Sequence, residues 1–174
     1  LPTGWQLVNG YLIGPGANLT GAYLAGVNLF KADITGANLA SADLNEPNLT
    51  SANLTDSDLS EANLIGVDFF KADLSGGDLS GANLSNADLN EADLSGANLS
   101  GVDLSGAVLS DANFSGVNFS GVNFSGVLLF DVNLTDSDLS EAFLTGVQSN
   151  NIIGTPSALP TGWQIVDGTL VYSP

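Results

Sequence analysis

From Leu19 to Leu144 a large apolar residue returns at every fifth position without a miss. Those 26 positions hold twenty-one Leu, four Phe and Ile34. Two residues before each stands a small side chain: fifteen Ala, seven Val, Ser57, Ser137, Gly77 and Pro47. Between the two lies Asn or Asp in twenty-two of the 26 cases, as in Ala37-Asn38-Leu39. A helix repeats its apolar face every 3.6 residues or so, and a strand alternates without end, so a period of five excludes both as continuous elements. Small-polar-large is three residues of in-out-in alternation, and the Ser/Thr and Gly/Ser/Asp/Glu that follow suit a bend. Each pentapeptide therefore predicts a short side and a corner, with the number of sides per coil left open.

Composition removes most chemistry from such a chain. Nineteen acids face two lysines, for a net charge of -17, and there is no Arg, His, Cys or Met. An imidazole base, a thiolate, a soft-ligand zinc site and a bidentate phosphate clamp are all excluded. Duplex nucleic acid and anionic membranes repel a surface of this sign, and no apolar run is long enough to insert. With 44% apolar residues the chain is too hydrophobic to stay unfolded as an acidic coil. The start at Leu1 rather than Met, together with the acidic, lysine-poor surface, leads us to expect an extracytoplasmic or extracellular setting.

The Ala-(Asn/Asp)-Leu-(Ser/Thr)-Gly run, from Ala17 to about Val147, resembles the pentapeptide repeat family. That resemblance implies an all-β, right-handed, four-sided parallel β-helix with the central and small residues inward. At twenty residues per coil the run makes about 6.5 coils, a rod of roughly 31 Å at ~4.8 Å per coil. Phe114, Phe119 and Phe124 fall on three successive sides of one coil and read as core filling.

The segments outside the period match each other. Leu1-Pro2-Thr3-Gly4-Trp5-Gln6 returns as Leu159-Pro160-Thr161-Gly162-Trp163-Gln164, and each leads through apolar residues to a turn, Asn9-Gly10 or Asp167-Gly168. Both predict β-hairpins that cover the raw ends of a solenoid. The expected organisation is an N-terminal hairpin at 1–16, a solenoid at 17–147, and a linker with a C-terminal hairpin at 148–174. Trp5, Tyr11, Trp163 and Tyr172 are the candidate end contacts.

Sorting positions twenty apart onto four faces leaves one that differs. It carries both lysines, Lys31 and Lys71, with Phe30, Phe70, Phe130, Val108 and Leu128, and then Glu91, Asp111 and Asp131. An antiparallel pair of rods matches Lys31 with Asp131 and Lys71 with Glu91, an isologous contact. Ten of the nineteen acids sit at the middle position, where Asp alternates with Asn, and a filled rod offers no cleft. No enzyme, cofactor or metal site is therefore expected. The expected function is a structural or interaction solenoid that assembles with itself, end to end or through the apolar face. Family resemblance implies an alternative, an acidic rod that mimics DNA in the groove of a basic protein such as a type II topoisomerase. An ice-binding β-helix is a further alternative, although the ladder Ser60, Ser80, Ser100, Ser120 and Ser140 has Ser where Thr would serve better.

Overall fold

The first constraint on this backbone is where five N–H groups per repeat find acceptors, since a buried unpaired amide costs about 1–3 kcal/mol. The computed structural model, which describes residues 1–174, answers it the same way at every repeat from Asn38 to Asn98, whereas rungs such as those of Leu99, Leu104 and Asn118 N–H are missing toward the phenylalanine layer. In 82–86, Ala82 N–H closes the corner onto the Leu79 carbonyl at 2.9 Å, Asn83 N–H reaches Ala62 on one neighbouring coil at 3.0 Å, and Leu84 N–H reaches Asp103 on the other at 2.8 Å. Asn86 N–H donates to Ser105 at 2.8 Å. That leaves Ser85 N–H, which donates to Oδ1 of Asn83 at 3.0 Å.

Four backbone bonds and one side-chain bond thus exhaust the repeat. Parallel bridges join residues twenty apart, starting with Asn18 to Asn38, Tyr23 to Asp43, Asn28 to Asn48 and Asp33 to Asn53. Twenty residues therefore complete one coil, and four bridged sides alternate with four corners. The second corner residue sits in the left-handed region, with φ of 67° at Gly96 and 57° at Lys31. A positive φ at that place is what a type II turn requires.

Only six segments are long enough to count as strands: β1 (Gln6–Val8), β2 (Tyr11–Ile13), β3 (Leu128–Phe130), β4 (Gln148–Asn150), β5 (Trp163–Val166) and β6 (Thr169–Tyr172). β1 and β2 are antiparallel, as are β5 and β6, and β3 pairs with β4 in parallel on the last coils.

The interior is one cluster of 50 buried hydrophobic residues, with a central Leu, Ile or Phe and a small residue from nearly every side. Burying each central Leu contributes about 1.5–3 kcal/mol, the main force that offsets ordering of so much irregular chain. Ser57 and Ser137 take the small position without strain because their hydroxyls donate to the Leu54 and Leu134 carbonyls at 2.6 and 2.8 Å. Phe119 meets Phe114 and Phe124 edge to face at 5.3 and 5.0 Å, so three aromatics fill that layer.

Candidate interaction surfaces

The twenty-two Asn and Asp residues at the middle position have one task in common: in every case Oδ1 accepts the N–H two residues on. These are Asx turns, and amide and carboxylate serve them equally. Folding requires the oxygen at these positions and leaves the charge free to vary. The backbone N–H and hydroxyl of Ser140 donate to Asp138 and hold its carboxyl below the usual carboxylate range, against a small opposing desolvation.

The face singled out from sequence has two departures from this pattern. Val108 and Leu128 replace the Asx residue and are 43% and 39% exposed. At Val108 the missing acceptor is supplied from the neighbouring coil, where Oδ1 of Asn90 takes the Ser110 N–H at 3.0 Å. Along the adjoining edge, Lys31, Ser51, Lys71, Glu91, Asp111, Asp131 and Asn151 all occupy left-handed corner positions. This is the one corner column of four without a glycine. Each such residue costs about 1–2 kcal/mol in backbone strain, partly offset by the greater entropy that glycine would lose.

The two cations on this edge already have neighbours. Lys71 Nζ lies 3.2 Å from Oε2 of Glu91 and 4.9 Å from the Phe70 ring centroid. Lys31 stands 5.0 Å from the Phe30 ring. Asp131 accepts the Asn151 amide at 3.1 Å, Asp111 is exposed, and Phe130 is half-buried. The structure therefore brings these candidates onto one strip, with the Lys71–Glu91 pair closed inside a single molecule.

At the rod's ends, Trp5 packs on the core and lies against Gly14, where an added Cβ would come within 2.5 Å of the indole ring. Tyr11 accepts the Tyr23 N–H through its hydroxyl at 3.2 Å. Trp163 packs on the other end of the core, 5.7 Å from the largely exposed Tyr172 ring. Sequence reading assigned these aromatics to the ends but missed Leu1, Leu7 and Leu12, which stand exposed beside them.

The distribution of charge divides the molecule. No charged side chain precedes Lys31, and only Asp167 follows Glu141, so eighteen of the nineteen acids lie between Asp33 and Glu141. Three shallow pockets of about 290, 330 and 460 Å³ open near the C-terminal end. No group of three or more acidic side chains is placed to hold a metal ion, and no helix is long and apolar enough to cross a membrane.

Four short sides per twenty residues around an apolar core define a parallel β-solenoid whose polar groups lie on its outer surface. The chain belongs to the pentapeptide repeat family: the family's repeat model matches eight copies over residues 16–46, 48–86 and 87–126. Members fold as right-handed quadrilateral β-helices and are generally structural or interaction proteins.

Among solved structures, the chain is similar to HetL, a pentapeptide repeat protein involved in heterocyst differentiation regulation from the cyanobacterium Nostoc sp. strain PCC 7120. The two are 30% identical with a TM-score of 0.55, covering 91% of this chain and 76% of that one. A pentapeptide repeat protein from the Arabidopsis thaliana thylakoid lumen is 33% identical with a TM-score of 0.29, covering 68% of this chain and 69% of that one. QnrB1, a plasmid-mediated fluoroquinolone resistance protein, is 19% identical with a TM-score of 0.40, covering 78% of this chain and 76% of that one. Comparison with curated protein sequences returns no match.

Proposed function

We propose that this protein is a non-enzymatic rod that assembles end to end with copies of itself. Its plan is about 6.5 coils in residues 17–147 between a hairpin at 1–16 and a linker and hairpin at 148–174. The observation that carries the reading is the partition of charge and apolar surface. Flank-to-flank approach sets up to seventeen net negative charges against as many, whereas the ends meet with exposed Leu1, Leu7 and Leu12 and almost no charge. Lateral pairing through Lys71 and Glu91 also has to exchange an ion pair that each molecule already owns.

Light scattering over a range of concentrations, with negative-stain electron microscopy of the same samples, tests the proposal. Rods in multiples of one molecular length that persist in high salt are expected. A single-molecule mass at every concentration refutes it.

A second reading is supported by charge density. Residues 33–141 hold eighteen acids and Lys71, a net -17 over about 26 Å of axis, or about one charge per 1.5 Å; duplex DNA carries one per ~1.7 Å. An acidic flank of this pitch suits the DNA groove of a basic protein such as a type II topoisomerase. Binding that falls steeply with salt and inhibits supercoiling is its signature; supercoiling untouched by excess protein excludes it.

A further inference from the structure

The two hairpins are equivalent in sequence at an offset of 158 and equivalent in register, Leu7 pairing with Leu12 as Ile165 pairs with Leu170. They nevertheless bury opposite faces. In the N-terminal hairpin Val8, Tyr11 and Ile13 pack on the first coil, while Leu7 and Leu12 are 64% and 50% exposed. In the C-terminal hairpin the counterparts of that exposed pair, Ile165 and Leu170, pack on the last coil, and Val166, the counterpart of Val8, is 44% exposed. Strand residues alternate between faces, so one hairpin with two apolar faces can lie between two solenoids.

From this inversion we infer that the hairpin is a two-sided connector. The Leu7–Leu12 face of one copy takes the last coil of a second copy, in the seat that the second copy's own C-terminal hairpin fills. This rests on the end-to-end reading and names its contact. The seat offers polar anchors as well as apolar surface: Ile152 N–H donates to the Gly168 carbonyl and Leu170 N–H to Oγ of Ser149, both at 2.9 Å. The Gly10 carbonyl and Leu12 N–H stand at the equivalent positions of the incoming hairpin.

The margin of the resident hairpin is open to solvent. Trp163 borders pockets of about 330 and 460 Å³, and Tyr172 occupies the position where Gly14 lets Trp5 lie flat before the chain enters a coil. In the inferred assembly the C-terminal hairpin closes the last coil until a neighbour's hairpin replaces it. Residues 1–16 and 142–166 carry no charged side chain, and Asp131, which accepts the Asn151 amide, is the carboxylate that borders the seat.

Because the chain has no cysteine, disulfide trapping starts from a clean background. Chains carrying Leu12→Cys and Ser149→Cys are mixed and oxidised with oxidised glutathione, and crosslinked species are identified by mass. The inference expects a covalent heterodimer from this pair, at a yield well above that of Leu12→Cys mixed with Val171→Cys, which lies on the outer face of the resident hairpin. Preferential crosslinking of Leu12→Cys to Val171→Cys overturns the exchange of seats while leaving end-to-end stacking in force. No crosslink with either partner, together with single rods in the microscope, overturns both. A Leu7→Asp, Leu12→Asp chain, altered only at exposed positions, should melt as the parent does and lose its association.

Discussion

Asp78 lies between Asp58 and Asn98 in one ladder, and its Oδ1 accepts two bonds, from Ser80 N–H at 3.0 Å and from the Asn98 amide at 3.1 Å. Neither requires a charge. Asp78→Asn keeps that oxygen and adds an amide placed to donate to Asp58, the bond that Asn98 makes to Asp78. It also removes a repulsion: two carboxylates ~4.8 Å apart in water cost about 0.9 kcal/mol, of which about half survives at 0.15 M salt. With about 0.5 kcal/mol for one more surface hydrogen bond, the gain is about 1 kcal/mol, or about 2–4 °C in Tm for a chain of this size.

Asp78→Ala relieves the same repulsion but strands Ser80 N–H and the Asn98 amide. Loss of a comparable local cap costs about 0.5–2 kcal/mol, so the net effect is destabilising. Two substitutions with identical charge change should therefore move stability in opposite directions. Urea unfolding followed by circular dichroism at 0.15 M salt reads both. Equal shifts of the same sign would show that charge, not the acceptor oxygen, governs this position and would refute the account of the Asx turns.

Leu84 is fully buried, and Leu84→Ala should cost about 2–5 kcal/mol in the same urea experiment; a loss under about 0.5 kcal/mol contradicts an inward central residue. At Gly96 an added methyl meets nothing within 4 Å, so Gly96→Ala isolates the left-handed corner and should cost about 1–2 kcal/mol, whereas an unchanged midpoint removes the need for positive φ there. Because the carboxyl of Asp138 is depressed in the folded chain, its contribution is present above the ordinary carboxylate range and is lost as pH falls through the folded value. The stability of the parent relative to Asp138→Asn, measured by urea at about pH 6 and again at about pH 3, should fall on acidification; a constant difference counts against the bond from Ser140.

Much of the rod was legible because its causes are local. The recurrence of Leu84 and its 25 counterparts predicted an inward residue every five, and the bend residues predicted the corners, since alternation and turn chemistry act within a few residues. The Asx bond is equally local, yet reading Asp and Asn by charge hid it: what Asp78 and Asn83 share is an oxygen two residues before an unpaired N–H. Lys71 and Glu91, matched between molecules by the antiparallel register, are also one coil apart on the same column, and the coil pitch brings them to 3.2 Å within one molecule.

What the sequence determined by itself is therefore the solenoid: the period, the inward residues and two hairpins at its flanks. Only the tertiary structure decided which way each hairpin faces. Leu7 and Ile165 occupy equivalent positions in strands apolar on both sides, and alternation specifies two faces without choosing between them. The choice falls to the coil that each hairpin meets, the first coil drawing in Val8 and Ile13 and the last coil drawing in Ile165 and Leu170. Burial rewards whichever apolar face the neighbouring coil can cover, and that neighbour exists only once the chain has wound up.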